Sequence, residues 1–89
     1  MTVRYDPIFL KKLKKLDARI RKSFKKRIIL FSRDPENSQL NNHFLKREYS
    51  NFRSIDITND YRALFREKDE GGKTVAYFED IGTHKELYG

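Results

Sequence analysis

The sequence predicts an α+β domain: a short N-terminal strand and a two-helix hairpin packed on a twisted, mainly antiparallel sheet of four to five strands. Three observations carry this. Apolar residues recur at helical spacing from Phe9 to Phe31, the period shifts toward strand-like runs after residue 40, and short turns separate those later runs.

Taken in order, "TVRY" (2–5) is a β-prone run. Asp6 and Pro7 then form a helix-start signal, since the carboxylate can accept from the first free N–H groups and proline fits the first helical position. Phe9, Leu13 and Leu16 make one apolar stripe, with Lys11, Lys12, Lys14 and Lys15 largely off it. Asp17 reads as a second N-cap, and from Ala18 the stripe resumes at Ile20, Phe24, Ile28 and Phe31. Pro35 and the Asn/Ser cluster of "RDPENSQLNN" end that helix. Four strand-like runs follow: "HFLKREY" (43–49), "FRSIDIT" (52–58), "YRALFREK" (61–68) and "TVAYFEDIG" (74–82). Asn59-Asp60 and Gly71-Gly72 mark tight connections, so these runs form an antiparallel meander. One face of the meander needs cover, and the stripes of the helical hairpin supply it.

Length and composition bound the function. Eighty-nine residues make one domain, 1–89. Apolar and charged residues are equally frequent at 37%, which predicts a small core under a heavily charged skin. Cysteine is absent, removing disulfides and thiolate metal sites from consideration. No apolar run has the length of a membrane span and no signal-peptide pattern is read, so a soluble cytoplasmic protein is expected. The net charge of +7 is uneven: residues 1–33 hold twelve Lys/Arg against Asp6 and Asp17, whereas 34–89 hold eight against eleven acidic residues. Such a one-sided field favours a polyanion or an acidic partner.

The side chains able to do chemistry are few. Two histidines 41 positions apart form no recognisable metal-ligand set, and no Gly-rich phosphate loop is present, so no cofactor is expected. His84 and His43 are the groups whose ordinary titration lies near neutral pH. Asp60 sits at a turn, Arg53 and Arg62 flank that turn on adjacent strands, and Tyr88 falls one helical turn from His84 if "HKELY" is helical. This set suits cleavage of RNA by its own 2′-hydroxyl, which needs a base, an acid and cations for the crowded phosphate. Each residue also has an ordinary structural use. From residues alone the reading is a basic α+β domain that binds nucleic acid, with ribonuclease chemistry as one use of the set.

"FRSIDITNDYRALFRE" followed by "AYFEDIGTHKELY" resembles the RelE/ParE superfamily of bacterial toxins, and within it the YafQ-like branch. "DYR" is common across that superfamily, whereas the "GTHKELY" ending is the more specific element. The resemblance implies a RelE-like fold and an mRNA interferase, a toxin that cuts messenger RNA in the ribosomal A site. It also implies a cognate antitoxin and contacts to 16S ribosomal RNA through the basic helices, with the toxin monomeric alone and hetero-oligomeric with its antitoxin. It casts His84 as the acid/base histidine, His43 as an upstream catalytic histidine, Asp60 as the carboxylate before the arginine strand and Tyr88 as the aromatic that positions a nucleotide. Arg62 and Arg53 fall where basic residues meet the phosphate, and Lys85 joins the substrate-binding group. Asp56 stands where that branch often has another histidine, which leaves the base to be chosen among His43, Asp56 and Asp60. Two rival readings follow from the same residues: a ParE-like inhibitor of DNA gyrase, and a non-catalytic basic module that binds RNA or protein.

Overall fold

The computed structural model describes residues 1–46 and 49–88. Strand β1 (Thr2–Tyr5) leads into helix α1 (Pro7–Lys15), which starts where Asp6 accepts a hydrogen bond from the Ile8 N–H at 2.8 Å with Pro7 just inside the helix. Leu16 leaves helical geometry, and Asp17 caps helix α2 (Ala18–Arg33) through the Arg19 N–H at 2.7 Å. The guanidinium of Arg21 reaches back to the Leu16 carbonyl at 2.5 Å and helps hold the tight corner between the helices.

Both predicted stripes face inward. Phe9, Phe24 and Phe31 are buried against Phe65 and Phe78 of the sheet, with Leu13, Leu16, Ile20 and Ile28 at the margins. Phe31 meets Phe65 edge-on at 5.0 Å between ring centroids, and Phe65 lies 4.9 Å from Phe78. These T-shaped and tilted pairs are the arrangements aromatic quadrupoles favour.

After α2, a single 3₁₀ turn (Ser38–Leu40) buries Leu40, and Asn41 closes it in the left-handed region at φ 49°. Strands β2 (His43–Phe44), β3 (Arg53–Asp56), β4 (Tyr61–Glu70) and β5 (Lys73–Thr83) follow, and Thr83 runs straight into a short helix α3 (His84–Tyr88). The sheet order is β1-β5-β4-β3-β2: the meander is antiparallel, as read from its short turns, and β1 adds parallel to β5. Gly71 and Gly72, both at positive φ, make the β4–β5 turn that an ordinary side chain would strain.

The run 43–49 departs from expectation. It is a strand only at His43 and Phe44, while Arg47 and Glu48 lie outside the described residues. Leu45 still donates to the Phe52 carbonyl at 3.0 Å, but the chain then turns, with Tyr49 N–H on Lys46 O (3.3 Å) and Phe52 N–H on Tyr49 O (2.9 Å). Local turn bonds therefore satisfy this backbone in place of a longer ladder on the sheet edge.

Candidate functional site

Alternation divides the sheet into two faces. On β3, Ile55 points into the core, so Ser54 and Asp56 point away from the helices. Register places His43 opposite Ser54 and Asp56 opposite Arg62, which carries all four to that far face. There a cleft of about 240 Å³ is lined by His43, Leu45, Lys46, Tyr49, Ser54, Arg62, His84 and Tyr88.

Each polar member is held by its own local structure. The His43 Nδ1 lies 2.7 Å from the Asn41 carbonyl. A carbonyl can only accept, so Nδ1 carries the proton and Nε2 bears the lone pair when the ring is neutral. Arg62 is fixed three times: Nε lies 2.9 Å from an Asp56 oxygen, and Nη1 donates to the carbonyls of Thr58 (2.8 Å) and Tyr61 (3.1 Å). The Nε–H is poorly aligned with the carboxylate, so the Asp56 contact is an ion pair more than a hydrogen bond. With Nε and Nη1 engaged on the protein, Nη2 is the guanidinium nitrogen left for an anion.

His84 is the first residue of α3, and a helix of five residues needs help at its ends. Thr83 and Glu86 form a reciprocal capping box: the Glu86 N–H donates to the Thr83 hydroxyl at 3.1 Å, and the Thr83 N–H donates to Glu86 Oε1 at 2.8 Å. The backbone bond from Thr83 holds the Glu86 carboxyl below its usual range, despite a small opposing cost from burial. The His84 N–H donates to the Asp60 carbonyl at 3.1 Å, tying α3 to the β3–β4 turn. Gly82 is buried beneath: a Cβ there would come within 3.2 Å of Glu86 Oε1. At the far end of the turn, the Tyr88 ring meets His84 edge-on at 4.7 Å and Tyr49 at 5.9 Å. The Tyr49 hydroxyl donates to the Leu87 carbonyl at 3.1 Å, closing the rim.

Of the residues singled out from sequence, the fold brings together His43, Arg62, His84 and Tyr88. Asp56 stands behind Arg62, with Asn41 Nδ2 3.5 Å from its other oxygen, and lies outside the cleft lining. Asp60 is exposed at the β3–β4 turn, lies outside the cleft lining and meets α3 through its carbonyl. Lys85 is exposed on α3 and also lies outside the lining. Arg53 is placed elsewhere altogether. Sharing the face of Ile55, it points to the helix side, 19% exposed, and contacts Glu67, Glu36 and Asn42. The expectation that Arg53 and Arg62 share one phosphate is thus corrected by strand parity, since 53 and 56 differ by an odd number and Asp56 is paired to Arg62.

Four lining residues were not singled out: Leu45, Lys46, Tyr49 and Ser54. The first three were read as continuing a strand, and the turn after Phe44 is what folds them over the rim. Ser54 is fully buried with no hydrogen-bond partner for its hydroxyl among the described residues. The capping box was visible as T-x-x-E in "THKE".

No protein-family model matches the sequence, and no curated protein matches it. Solved structures do share the fold, which is that of RelE-type toxins. YafQ from E. coli strain BL21(DE3) superposes with a TM-score of 0.78 at 21% identity, covering 98% of this chain and 97% of that one. A YoeB/ParE toxin from Agrobacterium tumefaciens gives 0.74 at 18% identity over 94% and 99%. A chain of the RelB-RelE antitoxin-toxin complex from Methanococcus jannaschii gives 0.68 at 23% identity over 96% and 94%. The α+β fold read from the sequence is therefore the one found, and these solved structures share it.

Proposed function

We propose that this protein is the toxin of a type II toxin–antitoxin pair and an endoribonuclease that cuts messenger RNA. The observation that supports this reading is the convergence of two imidazoles, one guanidinium and two tyrosine rings on a single cleft. His43 Nε2 takes the proton of a ribose 2′-hydroxyl, and the 2′-oxygen attacks the adjacent phosphorus. The bond from phosphorus to the 5′-oxygen breaks, and His84, entering as imidazolium, protonates that leaving oxygen. The products are a 2′,3′-cyclic phosphate and a free 5′-hydroxyl, with His43 protonated and His84 neutral. Arg62 Nη2 faces the charge that builds on the phosphoryl oxygens, and Tyr88 stacks on a neighbouring base. His43 is preferred over Asp60 and Asp56 as the base because it lines the cleft and they do not. The chain itself supplies base, acid and countercharge, so cleavage is proposed to proceed without a divalent ion.

The message would be cut in the ribosomal A site, with the Lys-rich faces of α1 and α2 on 16S ribosomal RNA, and both partners place the protein in the cytoplasm. An antitoxin partner is supported by the fold's likeness to a chain of an antitoxin–toxin complex. The test compares wild type, His43→Ala and His84→Ala, scoring growth arrest and message cleavage on expression. Each substitution should relieve growth arrest and lower cleavage by roughly 10²–10⁴-fold, and EDTA should leave cleavage by purified wild type unchanged. Equal toxicity in all three forms would discard the mechanism. Intact messages with inhibited gyrase would favour the ParE-like alternative.

A further inference from the structure

We propose that Arg53 is a positioning residue for His43, gripping the residues on either side of it from the opposite face of the sheet. Strand β2 is two residues long and lies at the sheet edge, so its own ladder does little to fix the imidazole. Alternation turns Phe44 toward the helix side while His43 faces the cleft, and Asn42, just before the strand, meets Arg53 on that helix side. The Arg53 Cζ lies over the Phe44 ring, 3.7 Å from its centroid, and Nη1 donates to Asn42 Oδ1 at 3.3 Å. Asn42 is held in turn by its Nδ2 on the Pro35 carbonyl at 2.9 Å. Arg53 is itself braced by Glu67 at 3.4 Å and Glu36 at 3.8 Å. One planar cation thereby clamps both neighbours of His43, leaving that side chain a single direction, in which Nδ1 meets the Asn41 carbonyl. Lysine would keep the ion pairs but could not cover the ring and reach the amide together.

The inference rests on reading His43 as the base, so its test includes a readout independent of cleavage. The tautomer of each imidazole is followed by ¹⁵N NMR in wild type, Arg53→Gln, Arg53→Lys and Phe44→Ala. Phe44 is 59% exposed, so its removal leaves the fold intact. In wild type His43 should show a protonated Nδ1 and a bare Nε2. All three variants should convert it to a solvent-like mixture of tautomers while His84 keeps its wild-type signals. RNA cleavage should fall roughly ten- to a hundredfold in each, and Arg53→Gln should add nothing on a His43→Gln background. An unchanged His43 signature, full activity in Arg53→Lys, or losses that multiply on the His43→Gln background would overturn the proposal. Should wild type cut no RNA, the nuclease reading falls, and the His43 signature alone decides whether Arg53 positions it.

Discussion

At the scale of single residues, the cleft contains one polar atom without a visible job. The Ser54 hydroxyl is buried and has no partner among the described residues, a condition that costs free energy. Alanine fits the same space without the hydroxyl, so Ser54→Ala should be neutral or stabilising by up to about 1 kcal/mol, read as the urea midpoint. Arg62 should behave oppositely. Its removal strips Asp56 of its main countercharge while that carboxylate stays only 26% exposed, and so should cost roughly 1–3 kcal/mol as well as activity. These contrasts mark what sequence could and could not reveal. His43, His84, Arg62 and Tyr88 were legible as chemistry because few side chains in this chain can do it. The separation of Arg53 from Arg62 was not, because it depends on which residue of β3 faces which of β4, and register is a tertiary fact. The same holds for Asp60, whose type suggested a base but whose position offers a carbonyl.

At the scale of elements, α3 responds to pH through its capping carboxyl. The folded-state carboxyl of Glu86 titrates below its unfolded value, so its contribution is present above the ordinary glutamate range and is lost as pH falls through the depressed value. Asp17, held low chiefly by the Arg19 N–H, weakens the start of α2 in the same direction. Acidification should therefore loosen both helix starts, seen as faster amide exchange of residues 84–88 before global unfolding. Glu86→Gln can still accept from the Thr83 N–H and should remove much of that pH dependence at α3. Glu86→Ala should free the helix at all pH values and cut cleavage, since His84 rides on its first turn. The long elements were easy to read: α1 and α2 carry caps and stripes, and β4 and β5 are joined by a diglycine turn. The short ones were harder. The two-residue β2 and the five-residue α3 have too few positions for a period, and their lengths are decided by turn bonds and a capping box.

At the scale of the whole molecule, the helices and the cleft occupy opposite faces of the sheet. The lysines of α1 and α2 are exposed, and among the described residues only Lys12 is engaged by a carboxylate, Asp80 at 2.5 Å. Docking and cutting should therefore separate experimentally. On the proposed function, replacing Lys11, Lys14, Lys22 and Lys25 by glutamate should leave cleavage of a short free RNA within a few-fold while ribosome association collapses. For wild type, log affinity for ribosomes should fall linearly with log salt, by roughly 0.7–0.9 per phosphate contacted. An unchanged slope in the glutamate variant would contradict this division. Among the described residues no helix is long and apolar enough to cross a membrane.

The strand order has a last consequence. His43 rides on β2 and His84 follows β5, with β3 and β4 between, so three inter-strand steps separate their backbones, about 14 Å at the usual spacing. The sheet thus sets the spacing of the two imidazoles, and an inserted or deleted residue between Phe44 and Arg53 that shifted β2 by one place would turn the imidazole of His43 away from the cleft.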